Sequence, residues 1–407
     1  MLLFLLEYFN KLGFHIPSVF GYVSTRMILA AITCLLITIF FGPFFIRKLY
    51  KMKIGQTIRT EKECPFLAAV HKKKKNTPTM GGILILFSMS LSLFLWMDLK
   101  NIFTWILFFS TVFLGIVGGI DDFLKLRHKN SKGLKARWKF SLQIFFASLV
   151  ALYLLYPSLT HFIGKVGIKE PFAKEFLSKN IDEKKNVKKT RLLSTKEYIC
   201  RIYVPFVKKP FLIMQGFWVI LAFIFFLLVI VGSSNAVNLT DGLDGLAAGC
   251  LVMVAVVFAF FAFLSNHIEI AKYLNILYIE GSGEIGIYLF SLAGAALGFL
   301  WYNGYPAQIF MGDTGSIALG GIIGISSILL ARELLLAIVG GIFLIETLSV
   351  ILQVFSFRYR NKKRIFLCAP LHHHFEFKGW AEEKVVLRFW VIGLLLAIIG
   401  IASLKFQ

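Results

Sequence analysis

Ten apolar stretches punctuate this chain, at residues 22–46, 80–97, 102–120, 138–156, 212–232, 243–264, 285–302, 315–331, 334–357 and 385–404. A bilayer core needs roughly 20 apolar residues per helical crossing, so each stretch is of spanning length. Inside hydrocarbon a helix is the one local structure that satisfies its own backbone. The expected fold is therefore an all-α polytopic membrane protein with about ten transmembrane helices in a single domain, residues 1–407. Composition agrees: 57% of the residues are hydrophobic, 43 are Phe and only 16% are charged, more apolar surface than a soluble core could hide. Residues 1–20 start apolar, but Glu7, Lys11, His15 and Pro17 interrupt them, which reads as an interfacial segment. No basic n-region or small-residue cleavage site marks a removable signal peptide. The five cysteines are scattered without a C-x-x-C pair, a pattern that argues against a disulfide framework or a zinc site.

Orientation follows from the loops. Segments 47–79, 121–139 and 358–384 carry ten, seven and seven Lys/Arg, whereas 98–101, 265–284 and 332–333 carry one each. The positive-inside rule makes the first group cytoplasmic, and ten spans then put both termini in the periplasm. Residues 165–209 oppose this, holding thirteen Lys/Arg against five acids on the outer side. Loops approaching about 60 residues escape the rule, so the alternation stands. This extracytoplasmic insert reads as a solvated loop, with contact to anionic lipid or a partner as the alternative.

The same alternation gathers loops 47–79, 121–137, 233–242, 303–314 and 358–384 on one face, and the unusual polar residues lie there. Carboxylates beside apolar spans are rarely kept without a use. Asp121 and Asp122 end the third span, with Lys125 four and three residues on, close enough to pair with either on a helix. Adjacent carboxylates repel, which suits a base or a divalent-cation ligand. Asp241 and Asp244, each followed by glycine, open the sixth span behind Asn238. Capping alone accounts for Asn, Thr and Asp at a helix start, but two Asp-Gly pairs exceed it and suit hydrogen bonds to a nucleobase or sugar. Asp313, flanked by glycines, leaves room for a metal-bound diphosphate or caps the eighth span. Phe310 could stack on a base or anchor at the interface. Thr79 caps a Pro-initiated helix behind Lys72–Lys75, which anchor to the membrane or hold a phosphate. His372, His373 and His374 suggest imidazoles facing phosphates or a cation rather than zinc.

The strings TPTMGG (77–82), DDFLK (121–125), NAVNLTDGLDGLA (235–247), FMGDTGS (310–316) and APLHHHFE (369–376), in this order and on one face, carry a resemblance. They resemble the phospho-N-acetylmuramoyl-pentapeptide-transferases of the polyprenyl-phosphate N-acetylhexosamine-1-phosphate transferase superfamily. The histidine string separates these from sister transferases that take UDP-N-acetylglucosamine. Two departures stand out: Asn76 where glycine is expected, and an insert longer than usual at 165–209. The resemblance implies attack of undecaprenyl phosphate on UDP-MurNAc-pentapeptide, giving lipid I and UMP with Mg²⁺, in the bacterial inner membrane. It implies Asp313 as the metal ligand and Asp121 as the group that binds or deprotonates the lipid phosphate. Asp122 would support Asp121 or the metal. Lys74, Lys125 and His373 or its neighbours His372 and His374 would hold phosphates, with Thr79 among the substrate contacts. Asn238, Asp241, Gly242, Leu243, Asp244, Asn303 and Phe310 would form the nucleoside pocket, and Gln353 would face the same cavity. Membrane lipids and a second copy of the chain are the other implied partners, and nucleic acid is not one. Direct attack and a covalent aspartyl intermediate both stay open. A transporter is the reading from another class, but it calls for carboxylates in mid-span, and only Glu346 lies well inside one.

Overall fold

A computed structural model describes residue 12 and residues 17–52, 77–128, 133–156, 171–177 and 189–404. Among the described residues nine helices are long and apolar enough to cross a membrane, and Gly82–Trp96 is apolar but shorter. In chain order we label α1 Val23–Lys51, α2 Gly82–Trp96, α3 Ile102–Arg127, α4 Ala136–Leu155, α5 Val219–Thr240, α6 Leu246–Ser265, α7 Ser282–Asn303, α8 Gly312–Leu329, α9 Glu333–Val339, α10 Gly341–Tyr359, α11 Leu371–Phe377 and α12 Glu382–Ala402. The ten apolar runs map onto these helices in order.

The ninth run is the exception. One span over 334–357 is expected, but the chain forms α9 and α10 with a break at Gly340. Two successive glycines remove the side-chain packing that would hold a straight helix there, and Gly340 leaves helical geometry.

Lipid is as apolar as leucine, so membrane helices associate by close packing rather than by the hydrophobic effect, and small residues allow it. Helix α8 shows this most clearly. Every residue from Thr314 to Leu329 is buried, and the helix packs against α3 and α5. A methyl group on Gly320 would lie 2.5 Å from the Ser233 carbonyl, and one on Gly118 would lie 2.1 Å from the Asp313 carbonyl. The Ser234 hydroxyl donates to Ile317 O at 2.8 Å, tying α5 to α8. Glycine spacing therefore decides how deeply α8 sits, and with it where its N-terminal carboxylate lies.

The insert departs from the solvated loop expected of it. Its described residues fold against the bundle. Strand β1 (Ala173–Leu177) pairs antiparallel with β2 (Lys189–Leu193) and with β5 (Tyr278–Ile279) from the loop between α6 and α7. Strands β3 (Arg201–Ile202) and β4 (Leu212–Ile213) form a second small hairpin. Tyr198 is fully buried, and its hydroxyl donates to Leu329 O at 3.3 Å. An apolar tyrosine ring beside an open helix-end carbonyl holds the insert down, a pairing invisible in a charge count. Leu329 ends α8 whereas Asp313 lies in its first turn, so by helix rise the insert lies about 24 Å from the carboxylates, on the opposite face.

Candidate active site

Asp121 and Asp122 at the end of α3 meet Asp313 at the start of α8, with ligand oxygens of all three within 4.8 Å of one another. The three carboxylates do not play equal parts. Asp122 accepts from the Asp313 N–H at 3.1 Å, the Thr314 N–H at 2.9 Å and the Thr314 hydroxyl at 2.6 Å. It caps the open amides of α8 from another helix, where its charge also meets the positive end of the helix dipole. Asp313 Oδ2 pairs with Lys125 at 3.0 Å and contacts Lys139, while its Oδ1 accepts from Asn238 at 2.9 Å. Asp121 Oδ1 accepts the Leu134 N–H at 2.7 Å. Its buried Oδ2 lies 2.6 Å from Lys125, out of good hydrogen-bond alignment, and 3.8 Å from Lys139.

The segment before α2 closes one wall. Phe310 N–H donates to Pro78 O, and Gly81 and Gly82 N–H donate to Phe310 O and Met311 O, each at 2.8 Å. This sets Thr79 beside Gly312, which needs its positive φ of 73° and has no room for a side chain between Thr79 and Asp122. Asn238 joins the carboxylates rather than a separate pocket, donating also to Ser316 at 2.8 Å. Asp241 stands half-buried between this cluster and Gly242. Its carboxyl is pushed up to about 8, first by lost solvation and then by the charges of Asp313, Asp122 and Asp244.

Other predicted residues frame the site. Asp244 accepts the Ala307 N–H at 2.9 Å, and Asn303 accepts from Gly245 and donates to Ile309 O, so both brace the loop before Phe310. Leu243 is buried in the core. Gln353 closes the 358–370 loop by accepting from Ile365 and Phe366 and donating to Phe366 O. The three histidines each meet a different partner. His372 is buried against Gly242, with Nδ1 3.1 Å from Glu346 Oε2 but out of line for a good hydrogen bond. His373 Nδ1 lies 2.6 Å from Glu376, and His374 Nδ1 accepts the Leu367 N–H. Lys74 lies outside the described residues.

Sequence reasoning missed Lys139, Thr314 and Glu346. Lys139 was visible as a lysine one turn inside an apolar helix start, but its counterion lies 174 residues away. Glu346 was noticed only as an acid well inside a span. It accepts the His372 N–H at 3.1 Å, and the His372 ring faces the same carboxylate. Removing one member of a buried pair strands the other, so Glu346→Ala is expected to lower stability by about 3 kcal/mol. Thermal denaturation in detergent measures this, and an unchanged melting temperature would refute it.

The arrangement offers clustered carboxylates, two lysines that offset them and histidine-bearing walls on one face. Comparisons with known proteins agree with it. The glycosyl transferase family 4 model matches residues 104–331, and signature 1 of phospho-N-acetylmuramoyl-pentapeptide-transferase matches residues 74–86. The chain is 61% identical over 411 residues to the phospho-N-acetylmuramoyl-pentapeptide-transferase of Protochlamydia amoebophila (strain UWE25), covering 100% of both chains. It is 43% identical over 391 residues to the protein of that name from Desulfotalea psychrophila (strain LSv54 / DSM 12343), covering 96% of each. With carboxylates and lysines converging from distant segments and full-length relatives at 61% and 43% identity, the chain belongs to the phospho-N-acetylmuramoyl-pentapeptide-transferase family.

Proposed function

We propose that this chain makes lipid I, moving phospho-MurNAc-pentapeptide from UDP-MurNAc-pentapeptide to undecaprenyl phosphate and releasing UMP, with Mg²⁺ as cofactor. The observation that carries this reading is the convergence of Asp121, Asp122 and Asp313 beside two lysines at the end of apolar helices. That is where a lipid phosphate and a soluble nucleotide can meet.

The donor set fits a hard divalent cation: all-oxygen ligands, with the buried Asp121 Oδ2 met by lysine ammoniums and by no aligned hydrogen bond. Asp313 and Asp121 would hold the ion, which would neutralise diphosphate charge when bound. Asp122, bonded to two α8 amides, keeps Asp313 in place and serves as a positioning group. Lys125 and Lys139 offset two of the three carboxylates and can turn to phosphate oxygens as substrate arrives. The acceptor's phosphate oxygen bonds to the β-phosphorus, the bond from that phosphorus to the bridging oxygen breaks, and the electron pair leaves with UMP. Asp121 is suited to take any proton the lipid phosphate brings. Such transfers depend chiefly on positioning and charge stabilisation. Asp241, Gly242 and Phe310 would serve the nucleoside, and His373, 2.6 Å from Glu376, a phosphate.

On this reading the carboxylate face is cytoplasmic, the insert and both termini are periplasmic, and the chain is one domain in a bacterial inner membrane, a topology that the loop charges support. A turnover assay with undecaprenyl phosphate tests the reading. UMP release is expected with UDP-MurNAc-pentapeptide, stops on chelation and returns with Mg²⁺. Equal turnover of UDP-N-acetylglucosamine would point instead to a sister transferase.

A further inference from the structure

The face opposite the carboxylates carries a second polar site, on the insert. The connection between β3 and β4 presents two adjacent lysines, Lys208 and Lys209. They line a hollow of about 110 Å³ together with Tyr203, Asn275 and Glu175. The one acid among these is already engaged, because Glu175 lies 2.6 Å from the Arg201 guanidinium. Neither lysine has an ion pair among the described residues. One further donor lacks a well-aligned acceptor: the hydroxyl of Tyr203, which lines the hollow and is only 6% exposed, has the Arg201 guanidinium beside its oxygen. Leaving buried donors unmade is costly. With the Glu175 carboxylate held by Arg201, the two ammoniums and the phenol are left as donors to the hollow, the complement of phosphate oxygens.

The rim shows which phosphate. Phe211 is 76% exposed at the end of the turn, and Phe217 and Trp218, leading into α5, are 81% and 61% exposed. Ile220, Leu221 and Ile224 of α5 continue that outward apolar surface into the span. Only three residues, 214–216, separate β4 from Phe217, so the hairpin sits at the height where α5 enters the bilayer. Aromatic residues at a span end sit among the lipid headgroups, and lysines beside them meet headgroup charge. A soluble phosphate would leave these rings in water, whereas a lipid covers them with its own chains. We infer that the Lys208–Lys209 hollow binds the phosphate of an anionic phospholipid in the leaflet on this face, docking the insert onto the bilayer. The insert is therefore attached twice, to α8 through Tyr198 and to lipid through this hairpin.

Native mass spectrometry of the detergent-purified full chain, titrated with phosphatidylglycerol, phosphatidylcholine or inorganic phosphate, tests this. Wild type is expected to retain phosphatidylglycerol in preference to phosphatidylcholine, and inorganic phosphate is expected not to compete. Lys208→Ser with Lys209→Ser weakens phosphatidylglycerol binding by about tenfold. Lys208→Arg with Lys209→Arg keeps it, and so does the charge-matched pair Lys196→Ser with Lys272→Ser, elsewhere on the same face. All variants are expected to release UMP as wild type does, which shows that they are folded. Equal loss in the charge-matched pair would reduce the effect to general electrostatics and overturn the site. Undiminished binding in the Lys208/Lys209 serine variant would do the same, and displacement by inorganic phosphate would make it a soluble-anion site.

Discussion

Asp313→Asn in folded, purified protein is expected to lower UMP release by roughly a hundredfold or more, the scale on which removing one preorganised electrostatic group slows an enzyme. The side chain meets Lys125, Lys139 and Asn238 at once, so it is the hub through which α3, α4, α5 and α8 share charge. Asparagine keeps the shape but loses the charge, leaving two lysines with less to offset and the proposed cation site one ligand weaker. A second readout separates metal from general damage. Mg²⁺ is expected to raise the melting temperature of wild type, because a ligand that binds only the folded state stabilises it, and to leave that of Asp313→Asn unmoved. Near-normal turnover in the variant would remove Asp313 from the reaction, and a preserved Mg²⁺ shift would move the ion to other ligands.

Gly118→Ala is expected to be nearly as damaging although it carries no chemistry. The added methyl group would sit 2.1 Å from the Asp313 carbonyl oxygen and 2.7 Å from Thr314 Cα, both backbone atoms that cannot rotate away. Helices α3 and α8 must then part by about an ångström, at a cost of roughly 1–3 kcal/mol for overpacking. That parting stretches the Asp122 bonds to the α8 amides and pulls Asp313 from Asp121. A displacement of this size costs about a hundredfold in rate even when the reacting groups are intact. Gly119 supplies the control. A methyl group there meets only the Thr314 side chain, at 3.8 Å, so Gly119→Ala is expected to keep stability and rate. Thermal denaturation and UMP release of the two variants side by side decide the matter. Equal behaviour would mean that the α3–α8 contact does not set the site.

Much of this site was legible before folding was considered. The acids Asp121, Asp122 and Asp313 could be placed together from span counting alone, because hydropathy and loop charge act locally and a helix has no choice but to carry its end residues to one face. Side-chain pairing was not legible. That Asp122 caps α8, that Asn238 bonds Asp313, and that Lys139 rather than Lys125 alone offsets the cluster depend on which helices touch and at what rotation. Gln353 shows the same limit: it was expected to face the nucleoside cavity, whereas its amide bonds to Ile365 and Phe366 in the loop before the histidines. The insert was misread because its lysines dominate its composition, while its fold rests on a few buried residues such as Tyr198 and on pairing with a strand about a hundred residues away.

The chain by itself determined its membrane character, its number of apolar helices and the face on which its carboxylates gather, since each follows from apolar length and charge along contiguous residues. Only the tertiary structure decided the unequal duties of Asp121, Asp122 and Asp313, the break at Gly340 and the anchored insert. These rest on backbones brought within contact by glycines such as Gly118 and Gly320, and contact between distant segments is a property of packing that no local pattern encodes.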